Sequence, residues 1–151
     1  MATDNGEILL NLNLIIPFKD KRGQKLLLYK SELERFKSSL EVRSGEMNEE
    51  LVDLFGDKFE LTIAARSDGN SKKYFWRFKS SKFDRKYNRL YSEPVICYIE
   101  KYDSNRKLRL KEMEQELIYI NANSKLIKGM LDSIDQSKEE QNHLRDIVFQ
   151  N

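Results

Sequence analysis

Lys72, Lys73, Arg77, Lys79, Lys82, Arg85, Lys86 and Arg89 fall within eighteen consecutive residues. They interleave with Tyr74, Phe75, Trp76, Phe78, Phe83 and Tyr87, and only Asp84 opposes them. Clustered cations attract polyanions, because each neutralised phosphate releases counterions. Aromatic rings among them stack on unpaired bases. Phosphate and base contact is therefore the chemistry this segment suggests, with Trp76, Tyr74 or Phe75 as stacking rings. The plainer expectation for Tyr74, Trp76 and Phe78 is that they form the core face of a β-hairpin.

The excess is local. The window 72–111 holds thirteen Lys or Arg against Asp84, Glu93, Glu100 and Asp103, a net of +9, whereas the whole chain is only +2. A second basic cluster, Arg106, Lys107, Arg109 and Lys111, opens a long helical pattern. Cations at a helix N-terminus oppose the macrodipole, which favours an external anion there. The expected nucleic-acid-binding set is Lys72, Lys73, Arg77, Lys79, Lys82, Arg85, Lys86 and Arg89, with Arg106, Lys107 and Arg109 behind it. Arg85 and Arg89 lie in a polar stretch outside the expected strands, so their reversal to Glu is expected to spare the fold.

Catalytic groups are sparse. His143 is the sole histidine and sits in a polar tail. A histidine metal site or catalytic triad lacks its partners. Cys97 lies between Ile96 and Tyr98 and reads as a buried thiol. Glu114 and Glu116 fall on different helix faces and read as solvated. No phosphate-cradling glycine motif is present. No cofactor, metal site or enzymatic activity is expected.

The elements that must carry the basic segment follow from periodicity. Residues 7–18 fit a strand or a short helix nearly equally, with a lean to strand. A turn at Asp20 to Gly23 precedes a helix from Gln24 to about residue 41, striped by Leu26, Tyr29, Leu33, Phe36 and Leu40. Gly45 is expected to end it, and a shorter helix to run from Asn48 to Phe55, stopped by Gly56. Alternation in 57–66 and 72–80, with Ser67 to Ser71 between them, predicts a β-hairpin. Ser92 and Pro94 predict a helix start, with Val95, Ile96, Ile99 and Tyr102 apolar. Leu110, Met113, Leu117, Ile120, Ser124, Ile127, Leu131 and Ile134 form a heptad seam over about 105–136.

The resulting class is α+β: a hairpin or small antiparallel sheet packed with helices, plus a long C-terminal heptad helix. A single domain over 1–151 is expected, mainly helical over 1–56, basic and aromatic over 57–91, and helical again over 92–151. The seam offers eight positions to the first helix's five. It is covered either by residues 24–41 or by a second copy through Leu110, Met113, Leu117, Ile120, Ile127, Leu131 and Ile134, with a slight preference for the dimer. Ile8 to Ile16 is too short to span a bilayer. The N-terminus lacks a signal-peptide pattern, and one cysteine forms no internal disulfide. A cytoplasmic protein without membrane partners is expected.

The stretch KYFWRFKSSKFDRKYNRLY, followed by EMEQELIYINAN, resembles small accessory proteins of bacterial plasmids and integrative conjugative elements. The matching positions are Tyr74, Trp76, Arg77, Arg85, Tyr87, Arg89, Glu114, Gln115 and Asn121, within about 70–125. The resemblance implies a role in mobile-element DNA handling, and so DNA ahead of RNA. Two functions remain open: a non-enzymatic nucleic-acid-binding accessory protein, or an interaction module whose basic patch meets an acidic protein.

Overall fold

Gly23 takes a positive φ of +68° and hands the chain to α1, Gln24–Phe55. The computed structural model describes residues 23–69, 71–80, 82–83 and 85–150. The expected strand at 7–18 lies outside them. After α1 come β1, Leu61–Asp68, β2, Ser71–Phe78, α2, Glu93–Ile99, and α3, Ser104–Arg145. The class is α+β, with a two-stranded antiparallel sheet and a long C-terminal helix.

The two helices expected before Gly56 are a single one. Gly45 sits within α1, on its exposed side. An interior glycine costs a helix about 1 kcal/mol relative to alanine. Burial of the continuing stripe outweighs that cost. Leu40, Ser44, Met47 and Leu51 are all buried, and each apolar side chain among them contributes about 1.5–3 kcal/mol when fully covered. Gly56, at φ +85°, ends the helix by donating its N–H to the Val52 carbonyl at 2.8 Å, a left-handed C-terminal cap. Asp103 caps α3, its carboxylate accepting the Arg106 N–H at 2.9 Å. That backbone hydrogen bond is the main reason its acid pKa is lowered.

Two compact units emerge along the chain: one from residues up to Ser39 together with those from Leu126 onward, the other from Leu40–Lys125. In the first unit, Leu26, Leu33, Ile127 and Ile134 are buried, and Lys30 pairs with Asp135 at 3.1 Å. In the second unit, α1 and α3 run antiparallel. Arg43 grips Glu116 with two hydrogen bonds, at 2.5 and 2.9 Å. Arg109 grips Glu50 likewise, at 2.6 and 2.8 Å. The core between them contains Met47, Leu110, Met113 and Leu117, each 0% exposed. Six of the seven apolar seam positions, Leu110, Met113, Leu117, Ile120, Ile127 and Ile134, are thus buried within one chain, and Leu131 and Ser124 half-buried. The seam outruns a first helix that stops at residue 41, but α1 continues to Phe55 and has 32 residues to offer.

Among the described residues, no helix is long and apolar enough to cross a membrane.

Candidate nucleic-acid interface

Alternation along β2 sorts its side chains. Tyr74, Trp76 and Phe78 are 5%, 0% and 1% exposed, facing the core with Leu61 and Ile63 of β1. These three rings are core, as the plainer expectation had it, and none of them is placed to stack on a base. Lys73, Phe75 and Arg77 face the other way. Their cross-strand partners are Arg66, Ala64 and Thr62. The outward face therefore carries three cations and a ring, with Asp68 its one strand carboxylate, at the turn end.

The chain after β2 returns alongside it. Asn88 forms an antiparallel bridge to Trp76, with backbone hydrogen bonds of 2.8 and 2.9 Å. This brings Tyr87 to Phe75, centroids 5.8 Å apart. The Arg77 guanidinium lies 5.0 Å from the Tyr87 centroid, held by donating Nε–H to the Arg85 carbonyl at 2.9 Å. Lys73 Nζ lies 5.3 Å from the Phe75 centroid. The result is a layer of rings and cations, with Tyr87 37% exposed and Phe75 half-buried. Phe83 turns the other way and stacks on Phe78 at 4.5 Å.

Below this layer sits a carboxylate. Glu114 of α3 is 6% exposed. Its Oε2 accepts the Trp76 indole N–H at 2.5 Å, while Oε1 is ion-paired with the Arg89 guanidinium. The reading of Glu114 as solvated is overturned: the helix face it shares is the one the hairpin covers. Arg89 changes role with it. Only 18% of its side chain is exposed, and its guanidinium lies 5.7 Å from the Phe75 centroid. Reversal to Glu would set two carboxylates together in a buried site, so the expectation that the fold tolerates it fails for Arg89.

Two asparagines lock the hairpin edges. Asn121 of α3 accepts the Tyr74 N–H at 2.7 Å and donates to the Tyr74 carbonyl at 2.9 Å. Asn48 of α1 accepts the Ile63 N–H at 2.8 Å and donates to the Ile63 carbonyl at 2.9 Å. Unpaired strand edges invite further pairing; here each is closed by a side chain. Trp76, Glu114 and Arg89 form one group, and Tyr74 and Asn121 a separate pair.

The remaining expected residues divide. Lys79, Lys82 and Arg85 are exposed, as is Lys86. Among the described residues, no ion pair engages Arg66, Lys73, Arg77, Lys79, Lys82 or Arg85. Lys72 pairs with Glu41 at 3.4 Å. At the start of α3, Arg106 faces Asp103 at 3.5 Å and lies over Phe55. Lys107 is half-buried. Arg109 is committed to Glu50 and also to Glu112, at 3.0 Å. The hydrogen bonds it donates to Glu50 push its pKa up, and the same bonds push the Glu50 carboxyl down. Two of the four cations of the second cluster, Arg106 and Arg109, are thus paired from within. Spacing alone does not reveal Arg66, because its place opposite Lys73 appears only once the register is known.

Beneath the other end of the hairpin, Phe55, Phe59, Phe78, Phe83, Tyr98 and Tyr102 form an aromatic cluster. Burial and the hydrogen bond with Tyr98 raise the Tyr102 hydroxyl to about 12. Tyr98 accepts the Glu60 N–H at 2.9 Å. Cys97, expected buried, is exposed: α2 turns Val95 and Ile99 inward and leaves Ile96 and Cys97 outward. Among the described residues, no group of three His, Cys, Asp or Glu side chains is placed to hold a metal ion.

No protein-family model, curated protein or solved structure matches the chain.

Proposed function

We propose that this protein binds nucleic acid, without catalysing a reaction, through the outward face of the hairpin and the segment 79–89. The observation that carries this reading is Arg66 directly opposite Lys73. Like charges facing each other across strands destabilise a sheet, and ordinary surfaces mix their signs. Arg77, Lys79, Lys82 and Arg85 extend the same sign along the surface, and exposed Tyr87 supplies a ring. Asp68 is the one strand carboxylate on that face, so the cations outnumber it and an external polyanion relieves their repulsion.

The contact set is accordingly Arg66, Lys73, Arg77, Lys79, Lys82 and Arg85, with Lys86 beside them. Arg89 acts as a positioning residue. Arg106 and Arg109 hold the structure together. The resemblance to mobile-element accessory proteins supports DNA ahead of RNA, and the single cysteine supports a cytoplasmic setting. A homodimer through the seam is not included in the proposal, since all of its apolar side chains but the half-buried Leu131 are already buried.

The test is fluorescence anisotropy with labelled DNA and RNA, single-stranded and duplex, at about 50 mM salt, with polyglutamate as competitor. Binding that polyglutamate fails to displace supports the reading. Failure to bind any of them below about 100 μM, the weak end of non-specific affinity, together with binding to polyglutamate, transfers the patch to an acidic protein partner.

A further inference from the structure

Resting on that reading, we propose that the ligand is single-stranded nucleic acid, with an unpaired base stacked at Tyr87 and Phe75 and the phosphates running along the β2 cations.

Shape argues against a duplex. A β-ribbon reads duplex DNA by entering the major groove, which is about 12 Å wide. Here β1, β2 and the bridged segment at Asn88 lie side by side. At about 4.8 Å per step, their outer backbones stand about 10 Å apart before side chains are added. Asn48 then ties β1 to α1, and Asn121 ties β2 to α3. A layer of that width, backed by α3 at Glu114 and tied to α1 at Asn48, is a platform and cannot be inserted as a ribbon.

Chemistry argues for a single strand. Bases in a duplex have their faces occupied by neighbours, whereas a single strand offers them to aromatic side chains. Tyr87 is the exposed ring of the platform. Phe75 lies 5.8 Å from it. Arg77 lies over Tyr87, and Lys73 and Arg89 lie over Phe75, so cations stand where a phosphate next to a base stacked at Tyr87 would find them. From Lys73 to Lys79 the strand direction covers about 20 Å, room for a few nucleotides. Stacking of this kind tolerates any base, so the expected binding has little sequence preference.

The experiment compares a labelled mixed-sequence single strand with its duplex, for the full-length protein and for Tyr87→Ala, Tyr87→Phe and Phe75→Ala. Tyr87 is exposed enough for its truncation to leave the fold in place, which circular dichroism checks. The expected result is a single strand bound at least 10-fold more tightly than the duplex. Tyr87→Ala should lose about 5- to 150-fold on the single strand and little on the duplex, with Tyr87→Phe close to the parent. Equal or tighter duplex binding, unmoved by Tyr87→Ala, overturns the single-strand proposal and leaves the nucleic-acid reading standing. Binding to neither overturns both.

Discussion

Glu114→Ala tests the device that holds the platform on its helix. The carboxylate is 6% exposed and serves two partners, the Trp76 indole and the Arg89 guanidinium. Its removal leaves an indole N–H unpaired on a residue with no exposure, at about 1–3 kcal/mol. It also breaks a buried ion pair, which costs about 3–5 kcal/mol when one partner is lost. The two contributions overlap, and Arg89 keeps some access to water, so about 4 kcal/mol is expected. Small domains hold about 5–15 kcal/mol in total. Glu114→Gln keeps an acceptor for Trp76 but loses the charge, and should cost about half as much. Urea unfolding followed by the emission of Trp76, the sole tryptophan, is the natural assay, since the reporter sits in the network. With a urea m-value of about 2 kcal/mol/M, the midpoint of Glu114→Ala should fall by about 2 M. A fall below about 0.5 M, or equal effects of Ala and Gln, would refute the buried-pair reasoning.

Trp76→Ala removes the largest fully buried side chain and should cost about 3–5 kcal/mol; calorimetry showing a nearly unchanged melting temperature would place that ring outside the core. Acid should weaken the second unit at the Glu50–Arg109 contact. The hydrogen bonds from Arg109 lower the Glu50 pKa below its ordinary value of 4.5. The stability this contributes is present above that value and lost as pH falls through the lower, folded one. Melting temperature should therefore drop below about pH 4.5, and Glu50→Gln should flatten some of that drop; an identical acid profile in the variant would contradict the assignment.

Much of the architecture was legible because it is written in local periodicity. The hairpin, the Ser92–Pro94 start of α2, the Gly56 stop and the seam of α3 each follow from spacing alone. Gly45 misleads because propensity is a local quantity, while the stripe through Leu40, Met47 and Leu51 is satisfied by partners far along the chain. The site was legible in its sign and not in its membership. Charge density marks the segment, but Arg89 and Arg109 are cations with carboxylates assigned to them by folding. Glu114 looks like any helical acid until Trp76 arrives 38 positions away. Arg66 joins the face only through its register with Lys73. The apolar neighbours of Cys97 suggest burial, whereas the short helix α2 has only one side to bury.

The salt dependence of single-strand affinity tests the central claim most directly. Each phosphate contact contributes about −0.7 to the slope of log affinity against log salt. Six cations, Arg66, Lys73, Arg77, Lys79, Lys82 and Arg85, give a limit of about −4. The account predicts a slope approaching that limit, and one shallower by about 1.4 when Arg66 and Lys73 are both replaced by Gln. A slope near zero, or one that the double replacement leaves unchanged, would contradict it.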